Sequence, residues 1–335
     1  MTTSGSLMRS EIAEAPAVFA RSVTAAVPSA LKSLDIASTR AFYTIARGSS
    51  DAAANILSYE FMRETGKPMT SLPPSIFSLG RGVDLAGTVS ILVSQSGASD
   101  DLVRSAKGAR SSGGTVIGLI NQAGSPIESV THLTLPIGAG PELAVPATKS
   151  VIGSIAAGTA LLSAIIPDYA SRAASSAATI AALDGATHPD TKSLVSALLR
   201  AQHVYVIGRD TGYGAAQELA LKLKETCALH AEAYSSSEVL HGPLQLATNP
   251  LLILILDTGQ AEVQSSLDTA EARFRAIGGT VHRLRPSDVG AADLTPAAAA
   301  ALLLYLCYPL VLATALALGH NPDRPATLSK VTQTT

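Results

Sequence analysis

Short apolar runs alternate with helix-length segments along the whole chain. In the first half they cover 42–48, 88–93, 115–120 and 133–137, and in the second half 203–208, 251–256 and 280–284. Because the runs are continuously apolar, both faces of each strand should be covered. This order predicts an α/β protein with doubly wound, mostly parallel sheets flanked by helices. Ligands of such sheets bind beyond the carboxyl ends of the strands, so the loops there should carry the chemistry.

One strand, turn and helix pattern occurs twice. FYTIARG at 42–48 precedes an alanine-rich segment that carries Glu60, and HVYVIGRDTG at 203–212 precedes another that carries Glu218. Similarity about half a chain apart indicates a tandem duplication. We predict two similar α/β domains, residues 1–180 and 181–335, a division that also suits the length of the chain.

The segment 294–318 contains no charged residue and is long enough to span a bilayer. Its many alanines and Pro309 weaken a lipid-facing assignment, and no basic cluster flanks it to set an orientation. We predict a buried or dimer-interface helix that breaks near Pro309. Residues 1–16 lack the basic start, apolar stretch and cleavage site of a secretory signal, so we expect neither export nor a membrane partner.

Composition narrows the class of protein further. Of 335 residues, 47% are hydrophobic and 15% charged, which suits a large buried core, and the net charge of −2 offers no basic field for nucleic acid. Cys227 and Cys307 are far apart and lack CxxC spacing, which argues against disulfides or a thiolate zinc site and fits a reducing cytoplasm. No His, Cys and carboxylate spacing indicates a metal, so we expect no metal and no cofactor.

Hydroxyl groups crowd the start of the helix predicted after the run at 88–93. This loop contains Ser94, Gln95, Ser96 and Ser99. Backbone N–H groups and the helix dipole favour an anion at such a terminus, and serine hydroxyls can donate to phosphate oxygens. A plain capping role for Ser99 and turn roles for its neighbours stay open. Two more hydroxyls, Ser49 and Ser50, follow the first strand and could converge on the same phosphate.

A second cluster of polar groups lies around one predicted helix end and its loop. It comprises Lys222, Lys224, Glu225, Glu238 and His241. Enolisation of a sugar phosphate needs a carboxylate to take a carbon-bound proton and a group titrating near neutrality to serve the ring oxygen. A solvated surface ion pair for the glutamate and a structural turn role for the histidine are the alternatives.

Several linked strings resemble the sugar isomerase (SIS) family. They are SQSGAS at 94–99, AVPATKS at 144–150, ALKLKE at 220–225, HAEAY at 230–234, HGPL at 241–244 and NPDRPATLSKVTQT at 321–334. The resemblance spans nearly the whole chain in order and implies two tandem SIS domains. It is strongest to the isomerase half of glutamine:fructose-6-phosphate amidotransferase and to stand-alone amino-sugar-phosphate deaminases.

The resemblance assigns substrate contacts to the first half. It implies that Ser50, Ser94, Gln95, Ser96 and Ser99 bind the sugar phosphate, with Ser49 beside them and the backbone near Val145 lining the sugar.

The resemblance assigns the acid and base chemistry mainly to the second half. Glu225 would move the proton between C1 and C2, with Lys222 close to it. His241 would open the sugar ring, reaching in from the partner subunit of a homodimer with a shared site. Lys330 would close over the substrate and meet its carbonyl carbon. His230 is expected to be structural or to support groups that contact the substrate, and Lys149 to cap a helix or form an ion pair instead of binding the substrate.

Departures from the family pattern narrow the expected reaction. The SIS strings begin within the first fifty residues and no amino-terminal cysteine precedes them, so we expect no glutamine hydrolysis. Ala98 stands where the amidotransferases usually carry an acidic residue, which favours the stand-alone deaminases. After the run at 251–256, Asp257 should repel phosphate, so one substrate site per chain is expected.

We therefore expect a glucosamine-6-phosphate deaminase that yields fructose 6-phosphate and ammonia. Galactosamine 6-phosphate, a fructosamine phosphate or another sugar phosphate as substrate, and glucosamine 6-phosphate synthesis from free ammonia, stay open. A sensor that binds sugar phosphate without catalysis is a further alternative, but the retention of Glu225, His241 and Lys330 favours an enzyme.

Overall fold

A computed structural model of the chain describes residues 3–330, and these fold into two parallel sheets flanked by helices. The strands of the first sheet are β1 (Phe42–Ile45), β2 (Met69–Ser71), β3 (Val89–Ser94), β4 (Thr115–Ile120) and β5 (Leu133–Pro136). They lie in the order β2-β1-β3-β4-β5, and every neighbouring pair is parallel. The winding direction changes between β1 and β3, so the loops after these two strands diverge and leave a crevice.

The second sheet repeats this plan with four strands. They are β6 (His203–Gly208), β7 (His230–Ser235), β8 (Leu252–Leu256) and β9 (Thr280–Leu284), in the order β7-β6-β8-β9 and all parallel. The predicted fold class, two doubly wound α/β units, is confirmed. The predicted segments at 42–48, 115–120 and 280–284 match strands to within a few residues.

Two edge strands were absent from the sequence prediction. β2 buries only Met69, and β7 carries polar and half-exposed residues, so neither forms the apolar run that marks a strand covered on both faces. The prediction that Glu225, Glu238 and His241 lie around one helix end and its loop is therefore wrong, because β7 separates Glu225 from the other two.

Helices cover both faces of each sheet. Among residues 3–330 they are α1 (Ser6–Val23), α2 (Gly48–Thr65), α3 (Ser75–Ser78), α4 (Asp100–Ser111), α5 (Lys149–Ile165), α6 (Pro167–Ala182), α7 (Thr191–Arg200), α8 (Thr211–Cys227), α9 (Ala261–Ala276) and α10 (Pro296–Ala317). α2 and α8, the helices of the repeated pattern, pack against each other, so the two related units meet through equivalent elements.

The apolar segment at 294–318 forms α10, which packs against α1, α5, α7 and α8. It is the one described helix long and apolar enough to cross a membrane, but 83% of its most apolar window is buried inside the protein, as in a core helix. The predicted break at Pro309 is wrong: the helix is continuous from Pro296 to Ala317. Packing on both sides of Pro309 offsets the missing backbone hydrogen bond.

Both cysteines lie in this interior. Cys227, at the end of α8, and Cys307, in α10, are buried free thiols, in keeping with the predicted absence of a disulfide. Burial raises the pKa of the Cys227 thiol to about 11 and that of Cys307 to about 12. Both therefore stay protonated near neutral pH and pack as small apolar side chains.

Candidate active site

A cavity of 720 Å³ opens where the loops after β1 and β3 diverge. It gathers every residue to which the family resemblance assigned a role at the substrate except His241. These are Ser49, Ser50, Ser94, Gln95, Ser96, Ser99, Val145, Lys222, Glu225 and Lys330. Lys224 and Glu238 of the second predicted cluster do not line it. Residues far apart in the chain thus share one space, as expected for a site at the switch point of a doubly wound sheet.

Two helices begin at this cavity. α2 starts at Gly48, and α4 starts directly after Ser99, which is its N-cap residue. The side chain of Ser99 makes no capping hydrogen bond within the part of the chain that the structure describes, so the capping role left open above is not its role here. The N–H groups and dipoles of the two helices favour an anion between them.

The loop before α4 is held by its own serines. Ser94 is buried and its Oγ accepts a hydrogen bond from the N–H of Gly97 at 3.0 Å, while the N–H of Ala98 donates to Ser96 Oγ at 3.3 Å. Gly97 has φ of 61°, and a Cβ there would collide with the side chain of Ser125. Only glycine suits this turn, which brings the serine hydroxyls to one side.

Arg47 is a cavity residue that the sequence analysis missed. It directly precedes α2, and its Nε donates to Asp101 Oδ2 at 2.9 Å while 47% of its side chain stays exposed. Asp101 is buried in the first turn of α4, so the ion pair links the starts of the two helices. The sequence did offer a signal for Arg47 as a site residue, because this arginine directly precedes Gly-Ser-Ser in the loop after a strand. Its guanidinium adds positive charge beside the serines.

Lys222 lies at the centre of the carboxylate cluster on α8. Its Nζ contacts the Glu225 carboxylate and lies 3.6 Å from Glu218 Oε1. Lys222 and Glu218 are fully buried, whereas 26% of the Glu225 side chain is exposed. The sequence KLKE is therefore not a solvated surface pair, although Lys224 is exposed.

Burial and charge set the protonation of this cluster. Burial raises the pKa of Glu218 to about 7, against the opposing effect of Lys222. Burial alone would lower the pKa of Lys222, but Glu218 and Glu225 raise it. Lys222 is therefore cationic near neutral pH. Tyr308 donates to Glu218 Oε1 at 3.3 Å and joins this cluster to α10.

The carboxyl-terminal segment reaches the cavity and is held there. Lys330 Nζ donates to Glu142 Oε2 at 3.1 Å and to the carbonyl of Ala144 at 2.6 Å. Glu142 is buried and also accepts from Ser150 Oγ at 2.6 Å. Lys330 therefore lies beside the AVPATKS segment, next to Val145. Residues 331–335, the end of the second predicted domain, lie outside the described residues.

The structure does not bring His241 to this cavity within one chain. It is exposed at the end of a short 3-10 helix, Glu238–His241, and lines a separate surface cavity with Gln245 and Ile277. Lys149, expected to cap a helix or form an ion pair, pairs with Glu14 at 2.7 Å. Among residues 3–330 no group of three or more His, Cys, Asp or Glu side chains could hold a metal ion.

Known proteins resemble this chain in sequence and in structure. The SIS domain model matches residues 35–164 and 197–281. The glutamine–fructose-6-phosphate aminotransferase (isomerizing) of Aeropyrum pernix is 31% identical over 304 residues, which cover 79% of this chain and 46% of that protein. The chain thus spans about half the length of the curated relatives it matches.

Solved structures extend the comparison over nearly the whole chain. A candidate phosphosugar isomerase from Silicibacter pomeroyi is 32% identical, with a TM-score of 0.82 over 95% of this chain and 99% of that one. The glucosamine-6-phosphate deaminase of Thermotoga maritima has a TM-score of 0.78 at 19% identity over 98% of this chain and 100% of that one, a likeness of fold. With the family model covering most of its length, this chain belongs to the SIS domain family.

Proposed function

We propose that this protein is an isomerising deaminase that converts glucosamine 6-phosphate to fructose 6-phosphate and ammonia. The observation that carries the proposal is that Glu225 and the serine loop, residues 94–99, line the same cavity. One end of that cavity suits a phosphate and the other offers a carboxylate for proton transfer. Its volume of 720 Å³ lies within the range of sites for small ligands.

The phosphate would lie between the starts of α2 and α4. Serine hydroxyls, backbone N–H groups and the Arg47 guanidinium can donate to its oxygens there. With the phosphate at the switch point, the sugar would extend toward Val145 and Glu225, which line the same cavity. This orientation holds the reacting carbons near the carboxylate, as a proton transfer between neighbouring atoms requires.

The Glu225 carboxylate would remove the proton from C2 of the open-chain amino aldose. The electron pair of the C2–H bond then forms the C1–C2 double bond of an enol as the carbonyl oxygen gains a proton. When C1 receives the proton from Glu225, the nitrogen lone pair forms the C2=N bond of an iminium ion. Water adds to the iminium carbon and releases a proton, which balances the one taken up by the carbonyl oxygen. Ammonia then leaves as C2 becomes a carbonyl, which yields fructose 6-phosphate. The sequence is redox-neutral and uses carboxylate acid–base chemistry.

Lys222 would hold Glu225 in place and stabilise its anionic form. Because the lysine is buried and cationic, it can also offset negative charge that develops on the substrate oxygen. Lys330, next to Val145, supplies a second cation to the same cavity. These two lysines would flank the carbonyl end of the open-chain sugar.

The reverse reaction, glucosamine 6-phosphate synthesis, is the second candidate, because the curated relatives are named aminotransferases. Assays in both directions separate the two. Purified protein is incubated with glucosamine 6-phosphate, and separately with fructose 6-phosphate and ammonium, and ammonia is measured. At low ammonium concentration, we expect ammonia release from glucosamine 6-phosphate to be faster than glucosamine 6-phosphate synthesis. Faster synthesis at low ammonium would favour the second candidate.

A panel of substrates tests the substrate class. Glucosamine 6-phosphate, galactosamine 6-phosphate and a fructosamine phosphate are compared for ammonia release. Release from none of them, with tight binding of at least one, would contradict the deaminase and favour a sugar-phosphate sensor. Release from another member of the panel with none from glucosamine 6-phosphate would keep the mechanism and change the substrate.

We further propose that the site is shared between the subunits of a homodimer, with His241 of each chain serving the cavity of the other. The exposed position of His241 outside the cavity of its own chain supports this. Glu225→Gln and His241→Asn variants are mixed after mild dissociation. Each should be inactive alone, and mixed dimers should regain activity because one of their two sites is intact. Activity that stays absent in proven mixed dimers would contradict a shared site.

A further inference from the structure

A second cavity, of 460 Å³, lies in the second domain beyond the carboxyl ends of β8 and β9. In both domains a buried strand, β3 or β8, is followed by a loop with a glycine of positive φ and then by a helix, α4 or α9. The two glycines are Gly97, with φ of 61°, and Gly259, with φ of 79°. The cavity therefore lies beside the β8–α9 loop, which corresponds in the second domain to the serine loop of the first.

Thr258 provides an unused hydroxyl at the start of α9. The residue lines this cavity and is only 3% exposed. Its buried Oγ1 has no hydrogen-bond partner among residues 3–330. Buried hydroxyls in proteins nearly always have a partner. Seven other buried hydroxyls among residues 3–330 also lack a partner, so the position of Thr258 in the lining of this cavity, just before α9, is what makes it a candidate donor to a ligand.

The sequence predicted that Asp257 would repel phosphate and so exclude a second site. In the structure, the charge of Asp257 is compensated by neighbouring arginines. Its buried carboxylate accepts from the N–H of Gly259 at 2.8 Å and pairs with Arg283 at 2.9 Å and Arg285 at 3.1 Å. Arg285 compensates the charge of Asp257, whereas Arg283 is shared with Asp268 and Glu271, at 2.6 and 3.1 Å. Arg285 itself lines the cavity, and 41% of its side chain is exposed.

The remaining carboxylates are arranged asymmetrically around the cavity. Glu262, in the first turn of α9, does not line it and pairs with Arg63 of α2 at 3.4 Å. Asp293 does line it, and no ion pair of its carboxylate is found within the described part of the chain. The cavity therefore has donors and a cation near Thr258 and Arg285, and an acceptor at Asp293.

We propose that this cavity is a non-catalytic binding site for a phosphorylated sugar or polyol. The phosphate would accept from Thr258 Oγ1, from the backbone N–H of Gln260 at the N-cap of α9 and from Arg285, and hydroxyls of the ligand would donate to Asp293. None of its lining residues corresponds to the Glu225 and Lys222 pair, so a ligand would be bound and not converted. The proposal is independent of the reaction at the first cavity.

Calorimetric titration of the full chain with glucitol 6-phosphate tests the site, because this ligand lacks a carbonyl and cannot be enolised. We expect two binding sites per chain. Ser96→Ala should weaken the first and Thr258→Val the second, each about tenfold, the effect of losing one hydrogen bond to a charged group. Thr269→Val is the matched control, since Thr269 is exposed on α9 and does not line the cavity. Equal affinities of the second site in Thr258→Val and Thr269→Val, or a single site that Ser96→Ala weakens and Thr258→Val does not, would overturn the proposal. A single site that only Thr258→Val weakens would support it and would count against the phosphate contact at the first cavity.

Asp293→Asn tests the orientation of the ligand. Glucitol 6-phosphate should bind the second site more weakly in this variant, because an amide is a poorer acceptor than a carboxylate. Inorganic phosphate should bind equally well or better, because a negative charge has been removed. Asparagine tolerates the positive φ of 54° at this position, so the fold should survive. Parallel weakening of both ligands would contradict the proposed placement of the hydroxyls.

Discussion

The carboxylate of Asp323 accepts a hydrogen bond from the backbone N–H of Met8 at 2.8 Å, across 315 residues of sequence. It also accepts from Leu7 at 3.2 Å, while its own carbonyl accepts from the N–H of Val145 at 2.9 Å. A residue near the carboxyl terminus thus caps α1 and is tied to the segment that lines the first cavity. Lys330 lies seven residues beyond Asp323 and contacts the same segment through the carbonyl of Ala144, so we expect its position to depend on this attachment.

Asp323→Ala should release this attachment. Loss of the cap should lower the free energy of unfolding by about 0.5–2 kcal/mol. Activity should fall more than stability alone explains, because Lys330 would be less well placed. Thermal unfolding and ammonia release at a temperature where the variant is fully folded check the two effects. Asp323→Asn keeps an acceptor for α1 and should lose less of both; equal losses in the two variants would contradict the capping role.

Glu225→Gln should abolish turnover with little effect on substrate binding. The amide cannot accept the C2 proton, and general-base catalysis typically contributes about 10²–10⁴-fold in rate. The fall should appear in kcat, and the affinity for glucitol 6-phosphate should stay within about threefold of the parent, since the phosphate contacts are intact. Asp184→Asn, which neutralises an exposed carboxylate outside the cavity, should leave kcat unchanged. Loss of binding with Glu225→Gln would count against its role as the base.

Ser96→Ala should raise KM about tenfold and change kcat little. The hydroxyl would contact the phosphate, which does not change during the reaction, so its loss weakens ground state and transition state alike. Steady-state assays over a wide range of substrate concentration give both parameters. Ser111→Ala, at the exposed other end of α4, is the control and should behave like the parent. A fall in kcat with unchanged KM would exclude a phosphate contact for Ser96.

Stability should fall between pH 4.5 and 7 because of Glu60. Burial raises the pKa of this side chain from 4.5 to about 7, although Tyr169 donates to it at 2.6 Å. Between these values the folded protein binds more protons than the unfolded chain, so raising the pH favours unfolding, by at most about 1.4 kcal/mol per pH unit for one group. Denaturant unfolding at several pH values measures the slope.

Glu60→Gln should make that slope shallower, whatever its effect on stability at any single pH. The amide does not titrate, so the stability of the variant relative to the parent should improve steadily from pH 4.5 to 7. Glu238→Gln, which replaces an exposed carboxylate, should leave the slope unchanged. Parallel pH profiles for Glu60→Gln and the parent would contradict the buried, raised-pKa state of Glu60.

The sequence predicted most of the central strands because these strands are buried on both faces. β3 is buried at all six positions, and such runs can be read directly from the amino acids. β2 and β7 lie at sheet edges, where partial exposure removes the pattern. The break predicted at Pro309 was wrong for a related reason. The hydrogen bond that a proline removes from a helix can be inferred from the sequence, whereas the packing against other elements that offsets this loss cannot.

The serine loop and Glu225 were predictable because each belongs to a contiguous string. Arg47 and Glu142 were not, because their placement depends on contacts with distant residues. Arg47 pairs with Asp101, 54 positions later, and Glu142 holds Lys330, 188 positions later. The spacing of residues along the sequence does not indicate such long-range pairs. The predicted role of His241 depends on a second chain and stays a prediction.

α10 supplies apolar contacts to helices of both domains, and it lies carboxyl-terminal to every strand of both sheets. A ribosome making this protein releases both sheets before the helix that fills the space between them. We therefore expect the nascent chain to carry an open apolar groove until residue 317 has left the exit tunnel. During that interval it should be a good client for chaperones, and truncations within α10 should yield insoluble protein instead of an active fragment.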